Sequence, residues 1–262
     1  MGVGDMLDEI FRIYRQNFRT LFGIGLIALM PSALLQVLLS LATGTQPGEP
    51  GVSTTLIVAL ISSALGWAGY AATTVAISDI ILGRSPTVEG SFRRILSYVI
   101  PMIGLFFAMM LAAILMFVTI IGIPFAIHFL VAWALAPMVM LIERAGIRRS
   151  FGRSRDLVRG TWWRVFGILF LASLLYGIIL GILSIPSGIF TLMAIGPGSE
   201  GVASSLFGAI RVLLGGAAQA VTAPIGYAIG TVLYYDLRIR KEGFDLTVLA
   251  QEMDHPRQPD VP

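Results

Sequence analysis

Three sets of residues in this chain could carry chemistry. The first is His128, the single histidine within an apolar tract, where an ionisable side chain marks a functional site by default. No acid, cysteine or second histidine is expected at its depth, which leaves open the plainer reading of a neutral, hydrogen-bonded packing histidine. The second set is Asp79, Glu143 and Asp236, which would offer a metal site or a proton relay if they converged. Each closes an apolar tract and is followed five positions on by a base, Arg84, Arg148 and Lys241 respectively. That spacing predicts three interfacial ion pairs. The third set lies in ERAGIRRSFGRSRDLVRGTWWRVFGIL, which begins at Glu143. Its Arg148, Arg149, Arg153, Arg155, Arg159 and Arg164, with Arg144, can bind anions, because a guanidinium meets phosphate bidentately where an ammonium cannot. The ligand is either one phosphorylated lipid or the anionic leaflet at large.

These groups need elements to position them. From Ile147 the arginine-rich segment reads as a helix with Ile147, Phe151, Val158 and Trp162 on one stripe and arginines on its flanks. Such a helix belongs in a headgroup layer, with Trp162 and Trp163 as interfacial anchors. Residues 4–19 carry Leu7, Phe11, Tyr14 and Phe18 at the same period, and a third amphipathic helix is predicted from Ser85 as cap and Pro86 as first residue, through Val88, Phe92, Ile95 and Val99. Between them lie apolar runs of bilayer length. The composition agrees: 56% of residues are hydrophobic and 13% charged, with a mean hydropathy of +0.85, against about 25% charged in soluble domains.

The predicted fold is therefore all-α and polytopic: a single domain over 1–246, three interfacial helices, and spans at about 21–41, 56–82, 102–121, 123–142, 165–185 and 212–235, with a polar tail at 247–262. Pro31 is expected to kink the first span, Pro101 to bend the chain into the third, Gly122 to Pro124 to separate the third from the fourth, and Pro186 to break the fifth ahead of an external segment. Arginine is concentrated before the first span and in alternate loops, whereas the intervening loops hold Glu49 and Glu200, with Arg211 at a boundary. The positive-inside rule then puts both termini in the cytoplasm. Acidic residues ahead of the first base argue against a cleaved leader, so the N-terminus is expected to be retained.

An internal pattern suggests three parallel copies of helix, span, span. Leu7, Val88 and Phe151 coincide, as do Gly23, Gly104 and Gly167, and the acid, four residues, base motif recurs at each return. Amphipathic helices entering a membrane also align by construction, so the repeat and accidental periodicity stay open. If it is real, the units obey a pseudo-threefold axis along the membrane normal, with a basic collar around the axis if the odd-numbered spans enclose it.

RSFGRSRDLVRGTWWRVFGIL together with LYYDLRIRKEGFDL resembles the membrane domain attached to some bacterial glycerophosphodiester phosphodiesterases, which also occurs as a stand-alone six-span protein. The resemblance implies a bacterial inner-membrane module. It does not bring the phosphodiesterase activity, because the catalytic barrel of that family has no room in the expected tail.

Absent motifs narrow the function. The chain has no cysteine, hence no thiolate nucleophile or disulfide, and no phosphate-cradling loop or dinucleotide fingerprint. No cofactor, metal or nucleic-acid partner is expected; the net charge of +3 is a surface property directed at anionic headgroups on the cytoplasmic side. The leading expectation is a non-catalytic scaffold or accessory in envelope or lipid processes, with an undefined membrane-protein partner. The alternative is a transporter or lipid-handling protein for a small or phosphorylated solute. A polar cavity within the membrane would favour the second.

Overall fold

The computed structural model describes residues 3–45, 52–118, 122–195 and 201–243. The expected tail at 247–262, Glu49, Glu200 and the last residues of the LYYDLRIRKEGFDL motif lie outside the described residues. The chain is helical: α1 (Val3–Gln16), α2 (Phe18–Thr43), α3 (Val52–Ile81), α4 (Val88–Ile95), α5 (Val99–Phe117), α6 (Gly122–Trp133), α7 (Ala136–Ile142), α8 (Ile147–Val158), α9 (Trp162–Leu183), α10 (Ile185–Ile195) and α11 (Val202–Glu242). Among the described residues six stretches are long and apolar enough to cross a membrane: α2, α3 from Thr55, α4 with α5, α6 with α7, α9 and α11.

Local chemistry sets the boundaries, in places against expectation. The third amphipathic helix starts two residues after Pro86, not at it: Thr87 is the cap, and its hydroxyl accepts from the Gly90 amide at 3.1 Å. The bend into the third span is a 3-10 turn at Leu96–Tyr98. Pro101 follows it inside the first turn of α5, where a missing N–H costs nothing. Pro31 sits inside an unbroken α2. Pro186 starts α10 and does not end structure, and α10 folds back along α11. The fourth span is broken at Ala134–Leu135, just before Pro137. Ser154 of α8 fills the break: its hydroxyl donates to the Ala132 carbonyl at 2.7 Å and accepts from the Leu135 amide at 3.2 Å. Backbone groups freed inside a membrane need such a partner.

The amphipathic helices pack their expected stripes on the core: Val88, Phe92 and Ile95 in α4, and Ile147, Phe151 and Val158 in α8 with Trp162 after it. In α1 Met6, Ile10, Ile13 and Tyr14 are buried and the expected Leu7 and Phe11 are partly buried against the same core, while Phe18, the first residue of α2, is exposed. The Tyr14 hydroxyl donates to the Val221 carbonyl at 2.7 Å, so this face packs on α11. The arginine-rich helix ends at Val158. Arg159, left-handed Gly160 (φ 81°) and Thr161 turn the chain, and Trp162 opens α9.

Packing divides the bundle into two halves. Fully buried large side chains, among them Leu21, Ile77, Leu105, Leu135, Met140, Leu157, Leu233 and Tyr234, gather toward the end that holds Asp79, Glu143 and Asp236, called here the basic end. In the far half α2, α3, α5 and α9 expose Leu38, Leu60, Leu115 and Ile182, a belt suited to lipid tails. The three returning spans α3, α7 and α11 touch one another pairwise, and each packs on an amphipathic helix: α3 on α4, α7 on α8, α11 on α1. Close approach to the next amphipathic helix is made at Gly23, where a Cβ would lie 3.2 Å from Val88 of α4, and at Gly104, 2.9 Å from Ile147 of α8. Gly167, by contrast, faces open space.

Candidate functional site

The basic end is built around three carboxylates, and the sequence expectation names the right acids with mostly the wrong bases. Asp79 does meet Arg84, at 3.6 Å. The spacing works there because α3 ends in a Schellman motif: the Gly83 amide donates to Ile80 and the Arg84 amide to Asp79, with Gly83 left-handed at φ 71°. The stronger partner is Arg94 of α4, whose Nη1 donates to both Asp79 oxygens at 3.0 Å. Glu143 does not pair with Arg148. It accepts from Arg153 Nε at 3.1 and 3.2 Å and from the Tyr234 hydroxyl at 2.8 Å. Asp236 does not pair with Lys241 but with Arg164 at 3.0 Å and Arg240 at 3.1 Å. In a helix the fifth residue on lies on another face and the fourth on the same one, so Arg240 reaches Asp236 where Lys241 cannot. Lys241 instead donates to the Asp156 and Arg159 carbonyls at 2.7 and 2.5 Å, closing the C-terminal end of α8 with a cation.

Three consecutive residues of α11 address three parts of the bundle. Tyr234 bonds Glu143 after α7, the Tyr235 and Ser78 hydroxyls lie 2.6 Å apart between α11 and α3, and Asp236 holds Arg164 of α9. Arg153 also pairs with Glu242, which Arg238 reaches at 3.2 Å. Burial depresses the Arg153 pKa, but hydrogen bonds and charge from Glu242 and Glu143 outweigh it and leave a net rise. Of the six arginines expected to bind anions, Arg153 and Arg164 are turned inward to these acids. Arg148, Arg149, Arg155 and Arg159 remain exposed.

Trp162 and Trp163 part company. Trp163 is 78% exposed, as an anchor requires, whereas the Trp162 ring stacks on His128 with centroids 5.4 Å apart and its Nε1 donates to the His128 carbonyl at 3.1 Å. His128 is exposed, not buried in a polar site. Among the described residues no group of three or more His, Cys, Asp or Glu is placed to hold a metal.

The far half contains what the sequence reading missed. A cavity of about 650 Å3 lies between α2, α3, α10 and α11, lined by Ser32, Gln36, Ser62, Ser187, Thr191, Arg211 and Gln219 among others. Ser62 precedes Asp79 by 17 residues, roughly 25 Å along α3 from the basic end. Several lining hydroxyls donate to their own helix: Ser32 to Leu29, Ser187 to Ser184 and Thr191 to Ser187, at 2.7 to 2.9 Å. Toward the basic end the space is closed where α2 and α11 approach at Gly25 and Ala220 and, at the cavity wall, where a Cβ on Gly216 would lie 2.8 Å from that of Ala33. The available signal was Gln36 and Gln219, two amides inside apolar tracts, with Ser32 one turn before Gln36 on the same face.

No family model, no curated protein and no solved structure matches the chain.

Proposed function

We propose that this protein takes up a small polar or phosphorylated solute in the far-half cavity, as a transporter or lipid-handling protein of the bacterial inner membrane. The observation that carries this reading is the 650 Å3 polar-lined cavity inside an apolar belt. Its size falls in the range of about 300–1,000 Å3 usual for small-molecule sites. Polar side chains in lipid are costly unless satisfied. Here Ser32, Ser187 and Thr191 spend their protons on backbone carbonyls and keep acceptor lone pairs for the cavity, while Gln36 and Gln219 supply donors and Arg211 a positive charge. A solute with both donors and acceptors suits that lining. The work asked of these residues is binding and release, and no catalytic step is assigned to them.

The basic end is cytoplasmic in this reading, by the positive-inside rule, with both termini on that side. Exposed Arg148, Arg149, Arg155 and Arg159 with Trp163 rest on anionic headgroups there. The ion-paired base then acts as the rigid platform below a more open half, which preserves a scaffold-like role for that end. The pairwise contacts among α3, α7 and α11, and the repeated packing of each on an amphipathic helix, support three parallel units related by a threefold axis. The even-numbered returning spans, not the odd-numbered ones, would line it. The likeness to the phosphodiesterase membrane domain rests on its sequence motifs and supports the bacterial location alone.

Cysteine introduced into this cysteine-free chain provides the test. In intact cells, Ser187→Cys in the cavity wall should react with a membrane-impermeant thiol reagent, and Arg93→Cys only after permeabilisation. A sulfonated reagent should label Ser187→Cys faster than a cationic one, and Arg211→Ala should remove that preference. Inert Ser187→Cys, or labelling of Arg93→Cys from outside, overturns the reading.

A further inference from the structure

We propose that Arg84, Arg94 and Arg144, converging from three segments on a small cavity beside Asp79, form a binding site for a phosphoryl group at the basic end. This site is separate from the far-half cavity and does not rest on the solute reading. The cavity measures about 160 Å3 and is also lined by Tyr98 and Ser78, which leaves room for a tetrahedral oxyanion and some of its water.

Charge and donor balance argue for an anion. Among the described residues Asp79 is the one acid lining the cavity, against three arginines. Arg94 reaches both carboxylate oxygens through Nη1 alone, so its other nitrogens remain directed elsewhere. Arg84 stands 3.6 Å from Asp79, beyond hydrogen-bond range, and Arg144 forms no ion pair among the described residues. The corner at Glu143 is built differently. There Glu143 and Glu242 balance Arg153 and Arg238, Tyr234 donates into the same cluster, and the charges are paired within the protein. Excess positive charge around vacant space, at one corner of the basic end and not its neighbour, is the feature that a bound anion explains. Arginines in a fork geometry meet phosphate oxygens bidentately.

The backbone adds to this. Arg144 is the one non-glycine with positive φ among the described residues, at 54°. Glycine would hold that conformation without a side-chain penalty, so the arginine is kept at a cost, at a position that lines this cavity. The phosphoryl group has two sources of the same chemistry, a lipid headgroup or a free phosphate. Both reach a site at the membrane surface.

The experiment uses the full chain in nanodiscs. Inorganic phosphate binding is measured calorimetrically in zwitterionic phosphatidylcholine discs, and phosphatidylglycerol retention by native mass spectrometry from mixed discs. Arg144→Gly, which keeps the backbone conformation, and Arg84→Ala are each expected to weaken one probe about tenfold, the loss of one charge-assisted contact, with unchanged melting temperature. Arg12→Ala and Arg93→Ala, exposed arginines outside the cavity, should leave it unaltered. Loss confined to phosphatidylglycerol assigns a headgroup, and loss of inorganic phosphate assigns the free ion. Should Arg84→Ala fail to fold, Arg144→Gly decides alone. The proposal is overturned if neither probe binds, if Arg144→Gly binds as wild type, or if Arg12→Ala and Arg93→Ala weaken binding equally.

Discussion

The two halves of this bundle treat polar groups in opposite ways. At the basic end, acids, arginines and tyrosines from α3, α7, α9 and α11 bond one another across long sequence separations, as in Tyr234 with Glu143 and Asp236 with Arg164. In the far half, Ser32, Ser187 and Thr191 bond their own helices and face open space. Inside a membrane every polar group needs a partner. Where the partners are other side chains, the polar groups hold helices together. Where the partner is the local backbone, the tertiary structure does not depend on them, and they are free to serve a ligand. Polar side chains thus have a structural meaning at one end and, in the proposed reading, a binding meaning at the other.

Stability measurements can break this contrast. Asp236→Ala leaves Arg164 and Arg240 without their carboxylate and should cost about 3–5 kcal/mol, as removal of one buried partner does. Ser187→Ala in the cavity wall, which removes a hydroxyl bonded to the backbone carbonyl of Ser184, should cost under about 1 kcal/mol, in the range of substitutions outside a structural network. Denaturant unfolding of the full chain in micelles gives both values. Equal losses would mean that the far-half polar groups are structural too, and the distinction would collapse.

A smaller effect sharpens the boundary between the halves. Gly25→Ala sets a methyl against the backbone carbonyl of Ala220, which cannot step aside, and should cost about 1–3 kcal/mol by overpacking. Gly230→Ala meets only the mobile end of Met138 and should cost less. If Gly230→Ala proves the more damaging, the floor of the cavity is not the α2–α11 contact. Smallest of the three, Tyr235→Phe removes the 2.6 Å hydroxyl contact with Ser78. About 0.5–1.5 kcal/mol is expected for one hydrogen bond, again by denaturant unfolding. A neutral result would confine the role of α11 in the basic network to Tyr234 and Asp236.

Some of this was legible in the chain itself. The six apolar stretches, the amphipathic segments before them and the acids at the returns follow from hydropathy, period and charge along single segments. The Arg84 partner of Asp79 was readable as well, because Gly83 ends α3 and folds the next residue back on the same helix. The failures share one cause. Arg148 and Lys241 were matched to Glu143 and Asp236 by spacing in sequence, but spacing decides only which face of a helix a residue occupies. Glu143 and Asp236 take their partners from other segments: Arg153 from α8, Tyr234 from α11 and Arg164 from α9.

By itself, then, the sequence determined the all-α polytopic architecture and the end at which positive charge collects, because lipid selects helices by the apolarity and length of each segment alone. Only the tertiary structure decided which arginines are consumed by acids and which stay exposed, that Trp162 stacks on His128 while Trp163 faces outward, and that Gln36, Ser62 and Gln219 surround one cavity. Those outcomes depend on the angle and rotation at which helices meet, and these are set by side-chain packing between segments far apart in the chain.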